Sequence, residues 1–480
     1  MKDITSEFGS GKILPLVFKL TIPAVIAQLI TFLYNLVDRM YVSNIQDIKT
    51  EALAALGIVL PITIIVQAFA NLIGLGASPK ASMALGENNK EKANRIFNIS
   101  TLLLVIIGII LTLILFFFAE PIIVLFGCPD NSIVYAANYL KIYALGSIFI
   151  ILVQGLNPFI SAQGHSILAM GTTLLGALLN VALDPLFIFT FNMGVEGAAL
   201  ATILSQFASF VWIVILFFMK GSTFTFKLKE MKFDFLIIGS ILFLGLSPFI
   251  MTLTESIIQI VFNVCLKIAT GGTSSAFTAA LTIMLSALQL ISLPLNGLGY
   301  GIAPFVSYNY GRGDAKRLKK GIIYTFIIGL VFDVIIYTIS MSAPQIYGYV
   351  FSADEEVMSL IKAYTPLFLM GTIMFVIQMT LQNINVALGQ GKTAVFLATL
   401  RKVIILIPLC FLLTYTVGFQ GVYMSEGIAD LVAGVITGIV IFITFPRVIN
   451  KRAKEVEEQL KPENEWKSFW FAGFLSKTQL

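Results

Sequence analysis

Charge is scarce in this chain. Of its 480 residues 12% are Asp, Glu, Lys or Arg and 58% are hydrophobic, a balance that excludes a water-soluble domain, which needs polar groups to cover its surface. There is one histidine, His165, and the three cysteines, Cys128, Cys265 and Cys410, are far apart in sequence. Neither type shows metal-ligand or disulfide spacing, so all four read as structural. The apolar runs lack period-2 alternation, which excludes a β-barrel. No short apolar stretch with a small-residue cleavage site opens the chain, so the first helix is expected to be retained. A nucleotide site is missing as well. "GQGKT", Gly389 to Thr393, superficially resembles the end of a phosphate loop, but the first glycine of that motif would fall on Val386 and no strand precedes it. The chain is therefore expected not to be an enzyme, to hydrolyse no ATP and to need no cofactor beyond a coupling ion. "NIS" at Asn98 is a glycosylation triplet by pattern only.

What the chain has in abundance is apolar runs of about 20 residues or more, each able to cross a hydrocarbon core of about 30 Å as a helix. Twelve spans are predicted, near 14–40, 52–78, 95–119, 134–158, 166–190, 196–219, 235–263, 277–303, 321–342, 358–385, 394–416 and 422–446. Bases gather at alternate connections: Lys80, Lys90, Lys92 and Arg95; Lys220, Lys227, Lys229 and Lys232; Arg312, Lys316, Arg317, Lys319 and Lys320; and Arg447, Lys451, Arg452 and Lys454. Acids such as Glu120, Asp130, Asp354, Glu355 and Glu356 mark the opposite side. The positive-inside rule then puts both termini in the cytoplasm and explains the net charge of +5 without a nucleic-acid partner.

Sliding the chain by about 225 positions reveals a repeat. Pro23 meets Pro248, Gly74 meets Gly299, Gly76 meets Gly301, Pro79 meets Pro304, Ser82 meets Ser307 and Gly86 meets Gly311. With small shifts, Pro121 meets Pro344, Gln154 meets Gln378, Pro185 meets Pro408, Gly194 meets Gly418 and Gly197 meets Gly421. The fold class expected is an all-α polytopic membrane protein, twelve transmembrane helices in two six-helix bundles related by a parallel pseudo-two-fold repeat. Residues 1–219 form the N-terminal lobe, 220–234 a cytoplasmic linker, 235–446 the C-terminal lobe and 447–480 a cytoplasmic tail. Two such bundles suit a transporter that rocks one lobe against the other.

Polar residues inside the spans locate the candidate site. A carboxylate at the centre of a membrane helix costs roughly 3 kcal/mol on insertion scales, so Asp184 needs a partner and a purpose. In "ALLNVALDPLFIF", Asn180 lies one turn before Asp184, and Pro185 cannot donate to the carbonyl of Val181. An amide oxygen, a carboxylate and a freed carbonyl suit a hard cation such as sodium. Span 1 carries Gln28, Thr31, Asn35 and Asp38 as one stripe, and span 6 carries Thr202 and Ser205 one turn apart. Asp38 precedes Arg39 near the outer end of its span, where an interfacial acid-base pair is the competing reading.

"YNLVDRMYV" in span 1, "NVALDPLFIF" in span 5 and "GVEGAALAT" entering span 6 resemble signatures of the multidrug and toxic compound extrusion (MATE) transporters. The resemblance covers nearly all twelve spans, including the turns "GLGASPKASMALG" and "GLGYGIAPFVSYNYG". It implies two lobes in a V shape, and export of amphipathic, mostly cationic drugs and toxic compounds against sodium or protons. By position it implies a coupling-cation site of Asp38, Asn180, Asp184 and Thr202, with Asp38, Asn180 and Asp184 as sodium ligands. A monomer in the plasma membrane, in contact with lipid and small cationic substrates, is the corresponding expectation.

The second half does not repeat the charges: Asp184 aligns with Ile407 and Asn180 with Val403. Span 7 instead carries Glu255, Gln259 and Asn263 on one face. Mid-span placement implies burial and makes Glu255 and Gln259, with Asn35 and Gln28, a second candidate site for a proton or substrate. Some resembling transporters pair such a glutamate with a span 10 aspartate, but span 10 here has only Gln378, Gln382, Asn383 and Asn385. Asp333, Glu426 and Asp430 stay unassigned. Met251, Met284, Met370, Met374 and Met379 offer an adaptable apolar surface or ordinary packing. A flippase for lipid-linked saccharides is the alternative function. It would need bases in the cavity, and the intramembrane bases, Lys267, Lys362, Arg401 and Lys402, read as lying near span ends. A channel fits poorly, because no ring of equivalent residues is visible. The tail ends in "WKSFWFAGFL", read as an interfacial aromatic segment.

Overall fold

The computed structural model describes residues 5–43, 45, 49–271, 275–351 and 353–475, with side chains described for these apart from residues 39, 43, 49–54, 275 and 460–475. Arg39, and so its pairing with Asp38, and the tail aromatics therefore lie outside the described side chains. Among the described residues there is helix and no strand, and twelve helices are long and apolar enough to cross a membrane. In chain order the first lobe has α1 (Ile13–Ser43), α2 (Lys49–Gly86), α3 (Lys90–Phe117), α4 (Ile133–Ala162), α5 (Ser166–Thr190) and α6 (Gly194–Phe218). The second has α7 (Phe235–Thr270), α8 (Ser275–Arg312), α9 (Ala315–Ser342), α10 (from Glu355), α11 (Gly391–Val417) and α12 (Phe419–Leu475).

The repeat extends to backbone geometry. Asn88 and its mate Gly313 both take positive φ, and the residue after each, Asn89 and Asp314, caps the next helix by accepting from an amide three residues on. Gly164 and Gly389, again mates, both take positive φ where glycine carries no Cβ penalty. The lobes meet through α1 with α8, α2 with α7, and α2 with α8, so the pseudo-axis runs between α2 and α8. A Cβ on Gly301 would sit 2.8 Å from the carbonyl oxygen of Leu20, and one on its mate Gly76 would sit 2.9 Å from the Cα of Gly245, the mate of Leu20. Both lobe contacts thus need the missing side chain.

Each lobe has its own apolar core. The first centres on Phe97, Tyr143 and Phe159, and the second on Phe262, Phe368, Phe375 and Tyr423. The helix Thr5–Ser10 breaks the simple division: it precedes the first lobe but packs on the second, where the carbonyl of Phe8 accepts from Arg317 Nε (2.6 Å) and Asn309 Nδ2 (3.1 Å). Residues 220–234 form a strap fastened to the first lobe. Asn94 Oδ1 accepts from the amide of Thr225 (2.7 Å), Asn98 Oδ1 from that of Lys227 (2.8 Å) and Gln163 Oε1 from that of Thr223 (2.7 Å). Asn98 is 0% exposed, so its glycosylation triplet is committed to packing.

Three spans depart from continuous helix. α10 runs as an α-helix over Glu355–Phe368, then as a 3-10 turn (Met370–Met374), a π segment (Val376–Leu381) and a last short helix (Gln382–Ala387). Such a break frees backbone amides that must find acceptors in the bilayer. Buried Asp333 of α9 takes the amide of Val376 at 3.0 Å, which assigns this acid to holding the break. The other departures flank the paired prolines: a π segment follows Pro185 (Leu186–Thr190), and another precedes Pro408 (Leu400–Leu406). Proline lacks the amide that regular helix requires, and local rewinding answers that loss.

Candidate cation site in the first lobe

α5 and α6 pack against each other and α1 packs on α5, which brings three separate stretches of sequence to one place. Asp184 is 0% and Asn180 2% exposed. Asn180 Nδ2 donates to Asp184 Oδ1 at 3.3 Å and approaches Thr202 Oγ1 at 3.5 Å. Asp38 of α1 completes the group, its carboxyl lying within electrostatic reach of Asp184. The four residues selected from the sequence are therefore neighbours.

Their chemistry is uniform. All four offer oxygen, and Asn180 Oδ1 and Asp184 Oδ2 are buried acceptors with no donor. Adjacent carboxylates in a low-dielectric interior repel strongly unless a proton or cation lies between them. A small monovalent cation fits this donor set, because oxygen ligands suit hard ions and two carboxylates already exceed its charge. Among the described residues no group of three or more His, Cys, Asp or Glu is arranged to hold a metal ion.

Two tyrosines that were not singled out in the sequence belong here. Tyr139 of α4 and Tyr34 of α1 both lie within electrostatic reach of Asp38 and Asp184, and Tyr139 lies beside Thr202. The signal was available: Tyr34 is one turn before Asp38, and Tyr139 and Tyr143 repeat that spacing on span 4. Gln28 and Asn35 stay apart from the cluster by hydrogen bonding, since neither makes a hydrogen bond and Asn35 is exposed. Thr31 bonds back to Ala27 of its own helix (3.0 Å).

The second candidate site needs correcting. Glu255 and Gln259 are exposed rather than buried: the face they share on α7 is turned away from the core of their lobe. Glu255 is nevertheless within electrostatic reach of Tyr300, Arg401 and Lys402. The placement of Arg401 near a span end also fails. It lies in the π segment in the middle of α11, buried, with Nε on Asp430 Oδ1 (2.5 Å), a terminal nitrogen on Glu426 Oε1 (3.1 Å) and its guanidinium 5.0 Å from the Phe375 ring centre. Sequence spacing did not reveal this triad because its members are 25 and 29 residues apart. Cys265 and Cys410, also distant in sequence, are free, buried thiols near one another.

Comparison with known proteins agrees with this architecture. The MatE family model matches twice, over residues 23–186 and 249–412, one match per lobe. The multidrug export protein MepA of Staphylococcus aureus (strain MRSA252) is 25% identical over 94% of this chain and 98% of its own length. MepA of Staphylococcus saprophyticus is 26% identical over 91% and 95%. Among solved structures, an outward-facing multidrug resistance MATE family transporter of the MOP superfamily superposes with a TM-score of 0.86 at 22% identity, over 93% of this chain and 99% of that one. A MOP superfamily transporter from Pyrococcus furiosus, described as having a binding pocket of reversed polarity, gives the same TM-score, identity and coverage. With both lobes matched by the family model, this chain belongs to the MatE family.

Proposed function

We propose that this protein is a secondary exporter of amphipathic, mostly cationic drugs and toxic compounds, driven by inward sodium or protons through alternating access. The observation that carries this reading is buried Asp184 beside half-buried Asp38, with Asn180 and Thr202, whose orphan oxygens call for a cation. The MepA relatives are multidrug export proteins, which points the same way.

The coupling ion would be held between Asp38 and Asp184 by Asn180 and Thr202, with Tyr139 beside the Thr202 hydroxyl. When the site empties, carboxylate repulsion returns and biases the lobe toward a different packing of α1 against α5, which is how ion occupancy is read by the lobes. Substrate binds in the cleft between lobes. α1 and α7 flank that interface, and Asn35, Glu255 and Gln259 expose polar groups that would be costly against lipid. Glu255 there is the countercharge for a cationic ligand. The protein works as a monomer in the plasma membrane with both termini cytoplasmic. A flippase for anionic lipid-linked saccharides is disfavoured because Arg401, the buried base, is already committed to Glu426 and Asp430.

Dye efflux tests this in cells lacking other pumps, comparing wild type with Asp184→Asn under imposed sodium or pH gradients. The asparagine variant is expected to lose at least about tenfold of gradient-driven efflux, equivalent to about 1.4 kcal/mol of coupling. Unchanged efflux would remove Asp184 from the mechanism.

A further inference from the structure

The second lobe carries a polar cluster on α11 and α12, the repeat mates of the α5 and α6 that hold the first-lobe site. Gly194 and Gly197 align with Gly418 and Gly421, and the same offset sets Glu426 on Thr202. Glu426 and Asp430 are one turn apart on α12, so their carboxyls share a face. Both are buried, at 1% and 0% exposure. Arg401 binds one oxygen of each, leaving Glu426 Oε2 and Asp430 Oδ2 buried without a donor. Gln378 of α10 is 2% exposed and gives its Nε2 to the backbone carbonyl of Asp430, so its Oε1 is a third orphan acceptor.

Charge counting sharpens the point. One guanidinium balances one of two carboxylates, leaving a surplus of one negative charge in a buried place. Around it, Lys402 is the neighbouring base on α11, half-buried and in no ion pair, while Glu255 on α7 adds a further negative charge within electrostatic reach. Asp333 of α9 faces the amide of Val376 instead. Half-buried Lys402 and exposed Glu255 offset each other, so within the buried cluster the two acids, Glu426 and Asp430, outnumber the one base, Arg401, by one. A proton on Glu426 or Asp430 removes the surplus and turns an orphan acceptor into a donor for another of the three orphan oxygens. A neutral water removes no charge.

We propose that Arg401, Glu426, Asp430 and Gln378 form a proton-binding site in the second lobe, holding one exchangeable proton between the two carboxyls. The guanidinium is a built-in cation that occupies the place a free ion takes in the first lobe, so this centre is selective for a proton. Existence of the site is independent of the first-lobe reading. Its use in coupling rests on that reading.

Infrared difference spectroscopy of the full-length protein in lipid nanodiscs, stepped between acidic and alkaline pH, reads protonated carboxyls directly. Wild type is expected to show a carboxylic-acid band of which one carboxyl's worth is lost in Glu426→Gln and equally in Asp430→Asn, because each leaves a balanced one-to-one pair with Arg401. That component should survive in Asp38→Asn/Asp184→Asn, which separates failure here from failure of the first-lobe site. Both variants are near-isosteric, and either suffices if the other does not fold. Arg401→Met adds a second protonated carboxyl. Bands unchanged in both Glu426→Gln and Asp430→Asn, or a component abolished by sodium at fixed pH, would overturn the proposal.

Discussion

The helix pairs α5/α6 and α11/α12 are repeat mates with the same paired prolines, yet their interiors are chemically opposed. The first holds Asn180, Asp184 and Thr202 and receives Asp38 from α1; the second holds its acids together with a base. Duplication kept what sets helix path and changed what sets charge. Backbone features such as Gly164 and Gly389 answer to sterics, which both lobes share. Side-chain charge answers only to its own neighbours, so it was free to diverge. The same asymmetry appears outside the membrane, where the strap 220–234 binds Asn94, Asn98 and Gln163 of the first lobe.

The comparison breaks most sharply at Arg401. Removing one partner of a buried ion pair leaves charge uncompensated, at a cost of about 3–5 kcal/mol. Arg401→Ala should therefore lower thermal stability strongly, whereas Asp184→Asn should leave melting close to wild type while stopping efflux. Differential scanning fluorimetry in detergent measures both, and equal losses would erase the distinction between the internally paired Arg401 cluster and the first-lobe oxygen cluster. A smaller effect is expected at the strap. Asn98→Ala strands the amide of Lys227 and the carbonyl of Thr225, worth about 1–3 kcal/mol locally; limited proteolysis should then cut between residues 220 and 234, and an uncut strap would show that the buried Phe224 of the strap, stacked on Phe97, suffices alone.

The smallest effect is a pH dependence of that strap. Burial alone would raise the pKa of Glu230, but hydrogen bonds from Lys227 and Asn94, the charge of Lys227 and a bond from Asn98 outweigh it, and the net shift is downward. A lowered folded-state value means that the contribution is present above the ordinary glutamate range and is lost as pH falls through the lowered value. Proteolysis at the strap should rise in acid in wild type and lose that pH dependence in Glu230→Gln.

Much of the fold was legible in the sequence, and for a reason: membrane spans are long, local and compositional. The placement of Asp38, Asn180, Asp184 and Thr202 together was legible because intramembrane polar residues are expensive and must face one another. Glu255 was misjudged because mid-span position says nothing about which face of α7 is turned to the core. The break in α10 was invisible because its stabiliser, Asp333, sits 43 residues from the amide it holds.

By itself the sequence determined the class, the twelve spans, the duplication and the residues of one cation-like cluster, all properties carried by composition or by a fixed period. Tertiary structure alone decided which charges neutralise one another. Arg401, Glu426 and Asp430 acquire meaning only when α11 is laid against α12, because electrostatic pairing depends on distances of a few ångströms that no separation along the chain encodes.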